Sequence, residues 1–149
     1  MAERTERDVL NHLIEACRDG ELGFRTAAEH VGDESVRALL LQMADERARY
    51  ATELLPHAQR LGGAAAHDGT GMGALHRRWM EIKSALMRHD DHAMLVEVAR
   101  GDTATMHSYE DAVDGMLPPD TRDLVEQQYE RQREEHEQIV EAEDNVRVH

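Results

Sequence analysis

LNHLIEACRDGELGFRTAAEHVGDESVRALLLQMADERARY, residues 10–50, is the stretch on which the fold turns. Before Gly32 the apolar residues recur at steps of three and four: Leu10, Ile14, Cys17, Phe24, Ala28 and Val31, with Leu13 and Ala27 widening the stripe. That spacing keeps one face of a helix apolar. Gly32 and Asp33 interrupt the pattern, Asp33 is a good N-cap, and a second stripe runs through Val36, Leu40, Met43, Tyr50, Leu54 and Leu61. So short a connection turns the chain back on itself and makes a helical hairpin.

The same reading extends to both ends of the chain. GGAAAHDGTGMG, residues 62–73, has the composition of a loop. GALHRRWMEIKSALM then carries Leu75, Trp79, Ile82 and Leu86 on one face, a short helix over about 72–87 that has to lie against the outside or one end of something larger. A further stripe through Leu95, Val98, Thr105, Tyr109, Ala112 and Met116 ends at Leu117-Pro118-Pro119, and Pro119 is well placed in the first turn of the next helix. No segment alternates with period two over the length of a strand. The expectation is one all-α domain over residues 1–149, with long helices at about 5–31, 34–61, 90–116 and 120–145. Two antiparallel hairpins joined by one long crossover give the ferritin-like form of the four-helix bundle.

Composition removes several functions. Asp plus Glu number 31 against 17 Lys plus Arg, a formal charge of -14, which excludes a nucleic-acid phosphate backbone or an anionic membrane surface as partner. Such a field attracts cations, and it repels other copies of the chain unless a homodimer interface overcomes it. The opening MAERTERD is polar and acidic where a secretory leader would be basic and then apolar, so the expected location is the cytoplasm. The lone Cys17 leaves no internal disulfide and no cysteine-based zinc cage.

The informative residues are polar ones on apolar stripes. Heptad counting puts Glu21 on the core face of the first helix, and Thr121, Val125, Gln128, Gln132, His136, Ile139 and Glu143 on that of the last. Asp102 lies between Val98 and Thr105 on the third long helix, with Glu97 at the edge of that face. The second helix offers Glu46, Tyr50, Glu53 and His57 along one flank, with Arg47 near the centre of the stripe. Buried carboxylates need an offset, because desolvation costs several kcal/mol per ion. Two arrangements supply one. Arg47 bridging Glu21 and Asp102, with the glutamines and Tyr50, would complete a structural network; a metal pair held by carboxylates and imidazole from facing helices would do the same by coordination. The stripes alone lean towards the network.

Four segments carry a resemblance: LNHLIEACRDGELGF (10–24), GALHRRWMEIKSAL (73–86), VEVARGDTATMHSYEDA (96–112) and LPPDTRDLVEQQYE (117–130). Together they resemble a bacterial family of small ferritin-like four-helix-bundle proteins catalogued as a domain of unknown function, over about residues 8–142. The resemblance implies a cytoplasmic bundle related to ferritins, rubrerythrins and bacterioferritins. The wider group binds two irons with one Glu from each of two helices and a Glu-x-x-His from each of the others. Carried over, Glu21 matches the first glutamate and Glu97 the third-helix glutamate, with Asp102 a nearby substitute. The paired motifs depart from the pattern: Glu53 is followed three places on by Pro56, with His57 one place late, and His136 has Arg133 where the glutamate belongs. The metal set expected is therefore Glu21, Glu46, Glu53, His57, Glu97, Asp102 and His136, holding iron at a di-iron or mononuclear centre that oxidises Fe(II). The alternative is a non-enzymatic bundle, stress-related or interacting, whose polar core is purely structural.

Overall fold

The computed structural model describes residues 5–62 and 91–148. Four helices and no strand occur among them: α1 (Glu6–His30), α2 (Glu34–Arg60), α3 (Asp91–Val113) and α4 (Pro119–Val148). The expected crossover helix over 72–87, with Trp79, lies outside the described residues.

Local chemistry explains the boundaries. Thr5 caps α1 reciprocally: the Asp8 N–H donates to Thr5 Oγ1 at 3.1 Å, and the Thr5 N–H to the Asp8 carboxylate at 3.4 Å. Asp33 caps α2 as expected, accepting from the Val36 N–H at 3.0 Å. The last carbonyls of α1, which a helix end leaves without partners, are taken by Arg37, whose guanidinium donates to Ala28 O at 3.1 Å and Val31 O at 2.8 Å. Asp91 accepts from the Gly32 N–H at 3.2 Å and so ties the first turn to the start of α3. Gly62, with φ +126°, ends α2 in a conformation that a side chain would strain. Pro119 opens α4, where its missing N–H leaves no bond unmade.

One expectation needs correction here. Met116 continues the stripe of the third long helix in sequence, yet α3 ends at Val113 and Met116 is 87% exposed. Gly115 bonds back to Ala112 O at 3.1 Å, so the helical period has already ceased where Met116 falls.

α1 packs against α2 and α3, and α4 against α3 and, more sparsely, α2; α1 faces α4 and α2 faces α3 across the diagonals. The core divides into two apolar parts. The first gathers Phe24, Val31, Val36, Leu40, Met43, Leu95, Val98 and Ile139 around the Gly32 turn. The second gathers Leu10, Leu13, Ile14, Cys17, Leu54, Tyr109, Leu117 and Val125. Between them, in the sequence of every helix, comes a polar layer: Gly20 in α1, Arg47 in α2, Asp102 and Thr105 in α3, Gln128, Gln132 and Glu135 in α4, all buried.

Candidate functional site

Arg47 is the centre of that layer. It projects from the core face of α2, is 1% exposed, and reaches across the diagonal to Asp102 on α3, donating from Nη2 to Oδ1 at 2.6 Å. Its Nη1 donates to Glu135 Oε1 on α4 at 2.9 Å. The guanidinium also lies 5.4 Å from the Phe24 ring of α1 and 5.6 Å from the Tyr50 ring, close enough for cation–π attraction. One residue thus touches all four helices. The Tyr50 hydroxyl donates to the same Glu135 oxygen at 3.2 Å, and His136 Nδ1 bonds the second oxygen of Asp102 at 2.9 Å.

These contacts set the charges. Burial disfavours the charge on Arg47, but the facing Asp102 and Glu135 outweigh it and hold its pKa above the ordinary value. Burial likewise works against an ionised Asp102, and Arg47 and His136 reverse it, so Asp102 lies below the usual carboxylate range. Glu135 goes the other way: desolvation exceeds the help from Arg47, and its pKa is raised. The hydrogen bond to Asp102 raises His136, against the effect of its partial burial.

A second chain of polar contacts crosses the bundle beside the first. The Tyr109 hydroxyl donates to Gln128 Oε1 at 2.6 Å, and the Gln128 amide donates to Glu53 Oε1 at 3.0 Å and to Tyr50 O at 3.4 Å. Tyr109 has only one proton, so Cys17 Sγ, 3.2 Å from its oxygen, is the donor of that pair. Burial pushes the Cys17 thiol up to about 11, in keeping with that role. Cys17, Tyr109, Gln128 and Glu53 come from α1, α3, α4 and α2 in turn. Gln132, fully buried, has both carboxamide atoms outside hydrogen-bond geometry, although it lies near enough to the Tyr109 hydroxyl to influence its proton.

Of the seven expected ligands, Asp102 and His136 meet. Glu21 turns to the side of α1, where Arg25 Nε donates to it at 3.0 Å and bridges it to Asp45; its side chain is 30% exposed, and Arg47 pairs with Glu135 instead. Glu46 sits at the α2–α4 seam, bonded to Arg49 and, at 3.1 Å, to Arg131. Glu53 ends the second polar chain. His57 Nδ1 lies 2.6 Å from Thr121 Oγ1 and 2.6 Å from Arg60, which also holds Asp120. Glu97 pairs with Arg100 at 2.9 Å on the edge of α3. Among the described residues no three His, Cys, Asp or Glu side chains converge on a metal position. Among the described residues the set does not fit a di-iron centre as arranged: both Asp102 oxygens are engaged, one by a guanidinium, and a single imidazole, that of His136, reaches Asp102.

Glu135 is the central residue that the sequence reading missed. The stripe of α4 steps 121, 125, 128, 132, 135, 139, an unbroken alternation of four and three that places Glu135 inward and leaves His136 at its edge. Carrying that alternation strictly through the polar stretch would have found it.

The family model described as Domain of unknown function (DUF2383) matches residues 5–115, and the chain belongs to this family. The matched part holds Arg47 and Asp102; Glu135 and His136 lie beyond it on α4. No curated protein matches the chain.

Proposed function

We propose that the chain is a ferritin-like, antiparallel four-helix bundle in which a guanidinium serves as the central cation, and that it works as a non-enzymatic helical module. The observation that carries this reading is Arg47, held between Asp102 and Glu135 and touching all four helices. The brief connections at 31–33 and 114–118 favour antiparallel hairpins, and about thirty residues between α2 and α3 favour the single long crossover of ferritin-like bundles. In such bundles carboxylates from facing helices meet a cation at mid-height. Here a side chain of the protein supplies the charge, in a planar fork suited to carboxylates. Sliding α2, α3 or α4 by one turn, about 5.4 Å, would push the charge of Arg47, Asp102 or Glu135 into an apolar half-core, so the layer specifies the register of these three helices.

One observation favours the iron reading: Asp102 and His136 are in contact, and an Asp–His pair is a common start to an iron site. Anaerobic Fe(II) titration of chelator-stripped protein, followed by oxygen, separates the two. The structural reading expects no saturable uptake at micromolar iron. Two irons per chain, with a near-ultraviolet oxo-iron band abolished by both Asp102→Ala and His136→Ala, would overturn it.

A further inference from the structure

We propose that a cavity where α1 begins and α3 ends is a binding site for an organic amine, an ammonium group carried on an apolar body. The inference goes beyond the reading of the Arg47 layer and does not depend on it, since Arg47, Asp102 and Glu135 do not line the cavity. The space measures about 670 Å³, within the range of pockets that enclose small-molecule ligands. Such pockets combine an apolar lining with a few polar groups that choose the ligand.

The helix ends create it. α3 stops at Val113, Gly115 bonds back to Ala112 O at 3.1 Å, and the chain runs outside helix until α4 begins at Pro119. The first turns of α1 supply the facing wall, from Glu6 to His12. His12 Nε2 and Ser108 Oγ hydrogen-bond at 2.9 Å, which ties α1 to α3 and holds the two walls in place.

Burial grades the lining from floor to mouth. Ala112 and Leu117 are buried, Val9 is half-buried, and Met116 stands almost wholly in water. The end of α3 took Met116 off the core stripe, and its side chain lines this cavity instead. Its unbranched thioether is the kind of apolar surface that repacks around ligands of varied shape.

Charge decides the class of ligand. Glu6 and Asp111 line the cavity, and among the described residues no lysine or arginine does. The carbonyl end of α3 carries partial negative charge, lies at the same place, and has no basic residue of its own in its last turn. The positive end of α1 is offset by Glu6 and Asp8 in its first turn. The chain as a whole, at -14, repels an approaching anion and draws in a cation. An ammonium group entering here meets two carboxylates, while the apolar body attached to it displaces water from Val9, Ala112, Met116 and Leu117. A carboxylate of equal length has the wrong charge, and a neutral alcohol lacks the attraction.

The test is titration calorimetry of the full chain with butylamine, hexylamine and octylamine, and with octanol and octanoate as partners of equal length and different charge. Affinity rises about fourfold for each methylene added, the value of burying one away from water; octylamine exceeds octanol, and octanoate does not bind. Glu6→Gln and Asp111→Asn each weaken octylamine about threefold, the worth of a partly exposed ion pair. Val9→Trp fills the cavity from its half-buried wall and abolishes binding. Carbon-13 methyl spectra locate the site: octylamine shifts the Met116 signal, assigned through Met116→Leu, ahead of those of the other methionines. An affinity level from butylamine to octylamine is attraction by net charge alone and overturns the proposal, as does octanoate binding as well as octylamine or a Met116 signal that stays put. Should Val9→Trp not fold, the two charge-removing variants decide, and unaltered octylamine affinity in both overturns it. Failure here leaves the stability of Arg47→Met and the iron titration untouched, so it is distinct from failure of the structural reading.

Discussion

Replacing Arg47 by methionine keeps a long apolar stem against Phe24 and Tyr50 and removes only the charge and its donors. Asp102, 1% exposed, then loses its 2.6 Å partner, and Glu135, 6% exposed, loses its 2.9 Å partner. Stranding buried charge in this way costs about 3–5 kcal/mol. A domain of this size holds about 5–15 kcal/mol in all, so the variant should forfeit about a fifth or more of its stability and roughly 10 °C of Tm. Urea unfolding followed by circular dichroism at 222 nm measures it, with the m-value checking that the unfolded state is unaltered. The deficit also has a pH signature. Without Arg47 both carboxylates take up protons more readily, so the variant recovers relative to wild type as the pH falls from 7 towards 5. Adding Asp102→Asn and Glu135→Gln, which remove the stranded charges, restores most of the loss. An Arg47→Met protein within about 1 kcal/mol of wild type at pH 7, the value of an exposed ion pair, would refute the account of the layer.

Asp33→Ala removes the oxygen that accepts from the Val36 N–H and should cost about 1 kcal/mol in the same assay; no change would mean that Arg37 and Asp91 hold the Gly32 turn without the cap. Cys17, fully buried and with its thiol raised to about 11, should resist a thiol reagent such as DTNB in the native state and react at once in urea. Rapid native labelling would contradict its place in the chain through Tyr109.

How much of this was legible beforehand depended on what marked each position. Arg47 and Asp102 stood on stripes whose neighbours, Met43 and Tyr50, Val98 and Thr105, fixed the inward direction on both sides. The two errors of placement, Glu21 for Gly20 and His136 for Glu135, share one cause. At 3.6 residues per turn, a residue three places on lies about 60° to one side of the stripe and one four places on about 40° to the other. Between Cys17 and Phe24, and between Gln132 and Ile139, the intervening position was glycine or polar, so no apolar residue broke the tie. In α1 the buried member is Gly20, which a hydrophobic pattern cannot register. The pairing of Arg47 with Glu135 rather than Glu21 followed from that rotation. The N-cap at Asp33 and the start of α4 at Pro119 depended only on local backbone chemistry and matched the structure.

Because the polar layer separates two apolar half-cores, the molecule resembles two short bundles stacked end to end on shared helices. One half closes around Val31 and Val36, the other around Leu117 and Val125. Among the described residues Arg47 and its partners interrupt the apolar contacts between the two halves. Fraying at one end thus meets a firebreak midway along the axis, and that half can breathe or accommodate substitutions while the opposite half retains its packing.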